Sequence, residues 1–215
     1  MKSNYFVLLI TLLPLIKANA EITIFEDKHH NLLTNMVIVD SRKLQDCIAL
    51  SVKKSKCLPA EMFQSKNGVL ASFRDIYWVF GASTIKHTNG VLVFGDNPQQ
   101  RNALAGLFHL AGQKNVWIWP NNFKEIVKQL GQGVGSEREQ VRSTFYSGEM
   151  RDKLIVLTKE LAYMKKNNWT IVSTEKNQAI KDSKLIAYKN SPLDSIALFV
   201  DLMLSGYRNV KVVVD

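Results

Sequence analysis

The chain has 215 residues, with 28 Lys and Arg against 19 Asp and Glu, for a formal net charge of +9. Its 46% hydrophobic and 22% charged residues match a globular protein with a real core, and exclude a disordered, collagenous or coiled-coil chain. Two cysteines are too few for a disulfide scaffold or a cysteine-rich zinc module.

Lys2 opens a short basic region, and Phe6 to Ile16 is an apolar run broken by Thr11 and Pro14. Ala18-Asn19-Ala20 then sets small residues at the two positions a signal peptidase reads. The pattern predicts a secretory signal over residues 1–20, cleaved after Ala20, and hence a periplasmic protein. The apolar run is well short of the roughly 20 residues that cross a bilayer. No second long apolar run follows, so no membrane span is expected after cleavage. Removing Lys2 and Lys17 leaves 26 − 19, or +7. The remaining basic residues are scattered (Lys53, Lys54 and Lys56; Lys165 and Lys166), with no aromatic-interleaved stripe, so no nucleic-acid partner is expected.

The first predicted strand is the apolar run Met36–Val39, ending in Asp40-Ser41-Arg42. Further on, residues 91–118 and 185–212 repeat each other at a constant offset of 94 without a gap. Pro98/Pro192, Ala103/Ala197, Leu104/Leu198, Leu110/Leu204, Gly112/Gly206, Asn115/Asn209 and Val116/Val210 are identical, and Phe94/Tyr188, Asp96/Asn190 and Lys114/Arg208 pair by type. In each copy an apolar run (Val91–Phe94; Leu185–Tyr188) reads as a buried strand, followed by a turn. Apolar residues then recur at helical spacing: Leu104, Leu107, Phe108 and Ala111 in the first copy, Leu198 and Leu202 in the second. Gly112 and Gly206 stop the helices, since glycine accepts the left-handed conformation. Val116–Trp119 and Val210–Val214 are the next strands. A strand, a full-length helix and another apolar strand predict parallel pairing in a sheet covered on both faces.

The echo of the first strand is Trp169–Val172, followed by Ser173-Thr174-Glu175. Its shorter spacing to the repeat predicts a second copy that has lost a segment. Gly131, Gly133 and Gly135, with the polar run Ser136–Gln140, mark the connector. Gly131-Gln132-Gly133-Val134-Gly135 lacks the Lys-Ser/Thr of a phosphate loop and follows no strand, so it reads as a flexible linker. The expected division is 1–20 signal, 21–120 first domain, 121–150 linker region and 151–215 second, degenerate domain.

These residues resemble the rhodanese (sulfurtransferase) domain in its tandem form. Val37-Ile38-Val39-Asp40-Ser41-Arg42 is similar to the family's first strand, a hydrophobic run ending Asp-x-Arg, and Leu58-Pro59-Ala60 to its Ile-Pro-Gly-Ala turn. Asp75–Gly81, Val91–Phe94 and Ala103–Val116 resemble the helix, active-site strand and following helix. The resemblance covers residues 36–119 and is faint over 150–215. It implies an α/β fold, a rhodanese-like parallel sheet flanked by helices, with a shortened, degenerate second copy. In active rhodaneses a cysteine directly after that strand carries sulfur as a persulfide, stabilised by backbone N–H groups at a helix N-terminus. Here the matching positions are Gly95 or Asp96, and Lys189 or Asn190 in the second copy. An acid at the helix N-terminus, as in the family's non-catalytic domains, implies that Asp96 fills the anion position itself.

Cys47 and Cys57, ten residues apart, are expected to form a structural disulfide in an exported protein. A redox-active pair is the rival, and Cys57, on the rim of the site loop, is a conceivable displaced nucleophile. His29-His30, read as strand neighbours, point to opposite faces and hold no metal; His87 and His109 are packed or surface groups. Trp117 and Trp119 alternate on one strand face and are expected in the core. Asp40 and Arg42 read as a structural ion pair. No metal or cofactor is expected. The leading expectation is a non-catalytic module that binds a protein partner in the cell envelope. The rival is a sulfurtransferase or thiol-redox enzyme using Cys57 or Cys47, and a third reading is a small-anion site on Gly95–Arg101 with Arg101 as its cation.

Overall fold

A computed structural model describes residues 21–174 and 181–215. The leader expected over residues 1–20 lies outside them, as does Glu175. Strand β1 (Ile22–Ile24) leads through a 3-10 helix over Asp27–Asn35 into β2 (Met36–Asp40), α1 (Leu44–Ala49), β3 (Ser51–Val52) and β4 (Lys56–Cys57). Next come α2 (Phe73–Ala82), β5 (Gly90–Phe94), α3 (Pro98–Leu110), β6 (Asn115–Ile118), α4 (Phe123–Leu130) and β7 (Gln132–Gly133). The second half holds β8 (Ile155–Val156), α5 (Leu161–Lys166), β9 (Thr170–Val172), β10 (Lys184–Ala187), α6 (Pro192–Leu204) and β11 (Asn209–Val213). No described helix is long and apolar enough to cross a membrane.

Five strands form one sheet in the order β1-β6-β5-β2-β4, and four form another in the order β8-β11-β10-β9. Every neighbouring pair in both is parallel. Successive strand residues face opposite sides, so the wholly apolar strands fill two cores at once. On β5, Val91 and Val93 face α2 and α3, while Leu92 and Phe94 join Phe25, Trp119 and Ile126 on the side covered by α4. In the second sheet Leu185 and Ala187 face α6, and Ile186 meets Val156, Val213 and α5. Both tryptophans of the β6 segment pack in the α4-side core, as their alternation predicts.

Helices α3 and α6 start at Pro98 and Pro192 and run 13 residues each, at the offset of the sequence repeat. Each begins behind a capping side chain, Asn97 or Ser191, with proline where a missing N–H costs nothing. Gly112 (φ +87°) and Gly206 (φ +89°) follow their C-termini in the left-handed region. The two helices pack on each other between the sheets, so one apolar core runs continuously through both halves. The approach is close at Gly106, where a Cβ would collide with Ile196 Cγ2 and stand 3.0 Å from Val200 Cγ2. Each large side chain buried there stabilises the fold by about 1.5–3 kcal/mol.

The linker expected over residues 121–150 is instead packed onto the first half. Phe123, Ile126, Val127 and Leu130 recur at helical spacing and form the inner face of α4. Gln132–Gly133 pairs antiparallel with β3. Beyond it Glu139 N–H donates to Ala82 O (2.7 Å), Tyr146 packs 5.2 Å from the Phe80 ring, and Arg151 N–H donates to Leu110 O (2.8 Å). Two of the glycines that suggested mobility are there for close contact: a Cβ at Gly133 would strike the Lys53 backbone, and Gly135 rests on the Cys47 and Cys57 sulfurs with no room for a Cβ. His29-His30 lie in the 3-10 helix, not on a strand. Between β9 and β10 the second half has no described counterpart of α1, β4 or α2.

Candidate functional site

The carboxyl ends of β2 and β5 deliver two loops to one cleft. Asp40 closes β2, fully buried, and the Arg42 guanidinium clamps its carboxylate, with Nη2 2.6 Å from Oδ2 and Nε 3.1 Å from Oδ1. Ser51 Oγ donates to the same Oδ2 at 2.6 Å and lies 2.7 Å from Ser55 Oγ. The Arg42 plane also stacks 3.5 Å from the Phe123 ring centroid. Asp40 and Arg42 are thus the structural pair that their spacing suggested, and they join β2 to the Ser51–Ser55 turn and to α4.

Ser41 fixes the second loop. Its N–H and its hydroxyl both donate to Phe94 O, the last carbonyl of β5, at 2.9 and 2.8 Å. Gly95 follows, buried so tightly that a Cβ would strike Ser41 Oγ. Asp96 does not occupy the N-terminus of α3: its Oδ1 accepts from Phe123 N–H (2.8 Å), at the start of α4. Asn97 holds α3 instead, its Oδ1 accepting from Gln99 N–H (2.9 Å) and Gln100 N–H (3.3 Å). With Pro98 lacking an N–H, the first-turn donors that could cradle an anion are already bonded.

The cleft over these loops has a volume of about 370 Å³. Asp46, Glu61 and Asp96 line it against Lys43, while Arg42 is committed to Asp40. Its charge is therefore poor for an anion. Arg101 is not part of it. It is largely buried, and Nη1 reaches Pro120 O (3.3 Å); burial pulls its pKa down while nearby Asp201 acts the other way. The small-anion reading of Gly95–Arg101 thus loses its cation.

Cys47 on α1 and Cys57 on β4 form a disulfide with Cα atoms 5.7 Å apart. Both are buried, and Gly135 N–H donates to Cys47 O (3.0 Å) across them. The sequence holds two cysteines, so neither sulfur is a thiol.

No protein-family model and no curated protein matches the chain. Solved structures do match it in shape. SseA from Escherichia coli, described with the "rhodanese" fold and catalytic mechanism of 3-mercaptopyruvate sulfotransferases, superposes with a TM-score of 0.71 at 10% identity, over 88% of this chain and 96% of that one. YnjE superposes at 0.67 and 11% identity, over 86% of this chain and 62% of that one. The anaerobic ergothioneine biosynthesis enzyme from Chlorobium limicola superposes at 0.68 and 9% identity, over 84% and 61%. The chain thus spans about three-fifths of the length of the latter two. The fold is the rhodanese fold.

In a rhodanese, the resemblance implies, the nucleophile follows β5. The positions that the resemblance matches to it are Gly95, whose close contact with Ser41 leaves no space for a side chain, or Asp96, whose carboxylate accepts from Phe123 N–H. The equivalent loop after β10 carries Lys189 and Asn190 beside a cleft of about 430 Å³ that also holds Tyr188 and Asp194. Lys189 N–H donates to Ser195 Oγ (2.8 Å), and Ser191 Oγ caps α6 by accepting from Asp194 N–H (3.1 Å). Gln99, on the first turn of α3, donates to the Asp194 carboxylate on the first turn of α6, so the loops after β5 and β10 lie at the same end of the molecule. Among the described residues no cluster of three His, Cys, Asp or Glu could hold a metal ion. Asn97, the Ser51–Ser55 pair and Tyr146 escaped the sequence reading; the Asn-Pro pair before an apolar helix was the available signal for Asn97.

Proposed function

We propose that this is an exported, periplasmic, tandem rhodanese-like protein without a catalytic cysteine, acting as a non-catalytic protein-binding or assembly module of the cell envelope. One observation carries the reading: both strand-end loops lack a thiol, and the only two sulfhydryl residues are joined in a buried disulfide. The constant offset of 94 between the two strand-helix-strand units supports the tandem form, and the leader pattern with the disulfide supports export. A persulfide needs a thiolate to attack the outer sulfur of thiosulfate, with sulfite leaving. The rival, a sulfurtransferase or thiol-redox enzyme using Cys57 or Cys47, requires the disulfide to open and the Gly135 segment to lift off it.

The test is the intact mass of the protein purified from the exported fraction, before and after thiosulfate, with a thiol-alkylating control. The expected result is a chain starting at Glu21 with no alkylation and no added sulfur. A gain of one sulfur atom on Cys57 or Cys47 would overturn the reading in favour of sulfur transfer.

A further inference from the structure

A second cleft opens at the opposite end of the sheets, where the strands begin. Ile22 starts β1, Leu154 precedes β8, Arg208 precedes β11 and Lys181 lies just before β10; together they border a space of about 1180 Å³ between the two halves. The rhodanese site loops follow the carboxyl ends of β5 and β10, so this cleft is separate from them.

His109 forms part of its wall. The residue is 3% exposed, and its Nδ1 is buried without a hydrogen-bond partner among the described residues. Burial, with Arg151 beside it, pushes its pKa down to about 3, so the ring is neutral. A neutral imidazole presents one N–H donor and one acceptor, and an unmet buried polar atom costs about 1–3 kcal/mol. On the cleft's rim stand three cations, Arg151, Lys181 and Arg208, and two acids, Glu21 and Asp182. None of the cations forms a salt bridge among the described residues. Arg151 is partly spoken for: its guanidinium donates to His109 O and to Gln113 O (3.0 Å) at the end of α3. Among the described residues, Arg208 and Lys181 have no such commitment through their side chains. Ile22, Leu154 and Met203 supply an apolar wall.

We propose that this cleft binds a small organic anion with an apolar body, its charge held by Arg208 and Lys181 and its polar group bonded to the His109 ring. The apolar part lies on Ile22, Leu154 and Met203. Such a site sets an apolar patch beside convergent polar and charged groups, the combination by which small-molecule sites orient a ligand.

The test follows the imidazole nitrogens by long-range 15N NMR of the full chain while benzoate is added, with benzyl alcohol as the neutral probe of the same shape. The expected result is a saturable shift of the His109 ring with benzoate and not with benzyl alcohol, His29 and His30 staying still. In Arg208→Gln, a change at an exposed position, the affinity falls roughly tenfold, as expected for one charge-assisted contact. No saturable shift at His109, an equal response to benzyl alcohol, or unchanged affinity in Arg208→Gln would each overturn the proposal.

Discussion

Removing the Cys47–Cys57 bond exposes how much of the first half depends on it. The two residues are 10 apart, and loop-closure entropy for a ring of that size corresponds to about 2.7 kcal/mol at 25 °C. Both sulfurs are buried beneath Gly135, so exchanging each for a hydrogen also leaves unfilled space, which adds to the loss. For a chain of this length, each kcal/mol moves the melting temperature by about 2–4 °C, so Cys47→Ala with Cys57→Ala should melt about 5–11 °C lower. The assay is thermal unfolding followed by circular dichroism at 222 nm, supported by urea unfolding to obtain the free energy. A loss below about 1 kcal/mol would refute the reasoning, because it would mean that β4 and the 132–136 segment hold the Cys47–Cys57 loop closed without the covalent bond.

Two more outcomes follow from buried polar groups. Asp40→Ala strands the Arg42 guanidinium, whose side chain is 13% exposed, and should cost about 3–5 kcal/mol in urea unfolding; a loss under about 1 kcal/mol would show that Leu50 O and the Phe123 ring suffice to hold Arg42. His109 titrates near 3 in the folded chain and near 6.5 when unfolded, so the unfolded state takes up the proton first as pH falls. Stability is then complete above about 6.5 and is lost down to about 3, roughly 2 kcal/mol of it between pH 7 and pH 5. Urea unfolding at both pH values should show that difference in the wild type and lose it in His109→Gln; an equal pH dependence in the variant would place its origin elsewhere.

What was legible in the sequence was what local chemistry encodes. The two 13-residue helices stood out because Pro98 and Pro192 open them, Gly112 and Gly206 close them, and apolar residues keep a helical period between. The parallel sheets followed from strands apolar on both faces. Strand β1 was not legible: it has three residues, too few for a period, and its pairing with β6 lies 94 residues along the chain. The segment 121–150 was misread because glycine suggests freedom, whereas Gly135 is there for contact with two sulfurs. Asp96 was assigned to the nearest helix N-terminus, while its partner, Phe123 N–H, lies 27 residues on. The His109 cleft gathers residues from the start of β1, the end of α3 and the turns before β10 and β11, and no spacing in a linear chain announces such a meeting.

The close contact at Gly106 ties three positions to a shared history. Any lineage descending from this chain that acquires a side chain at position 106 must first, or at once, shorten Ile196, whose Cγ2 lies where the new Cβ would go, and make Val200, 3.0 Å away, give way. Conversely, a relative with smaller residues in place of both Ile196 and Val200 has room for alanine at 106, and there the better helix former is the favoured residue. Positions 106, 196 and 200 should therefore change in concert among descendants of this sequence, although 106 and 196 are separated by 90 residues and five strands.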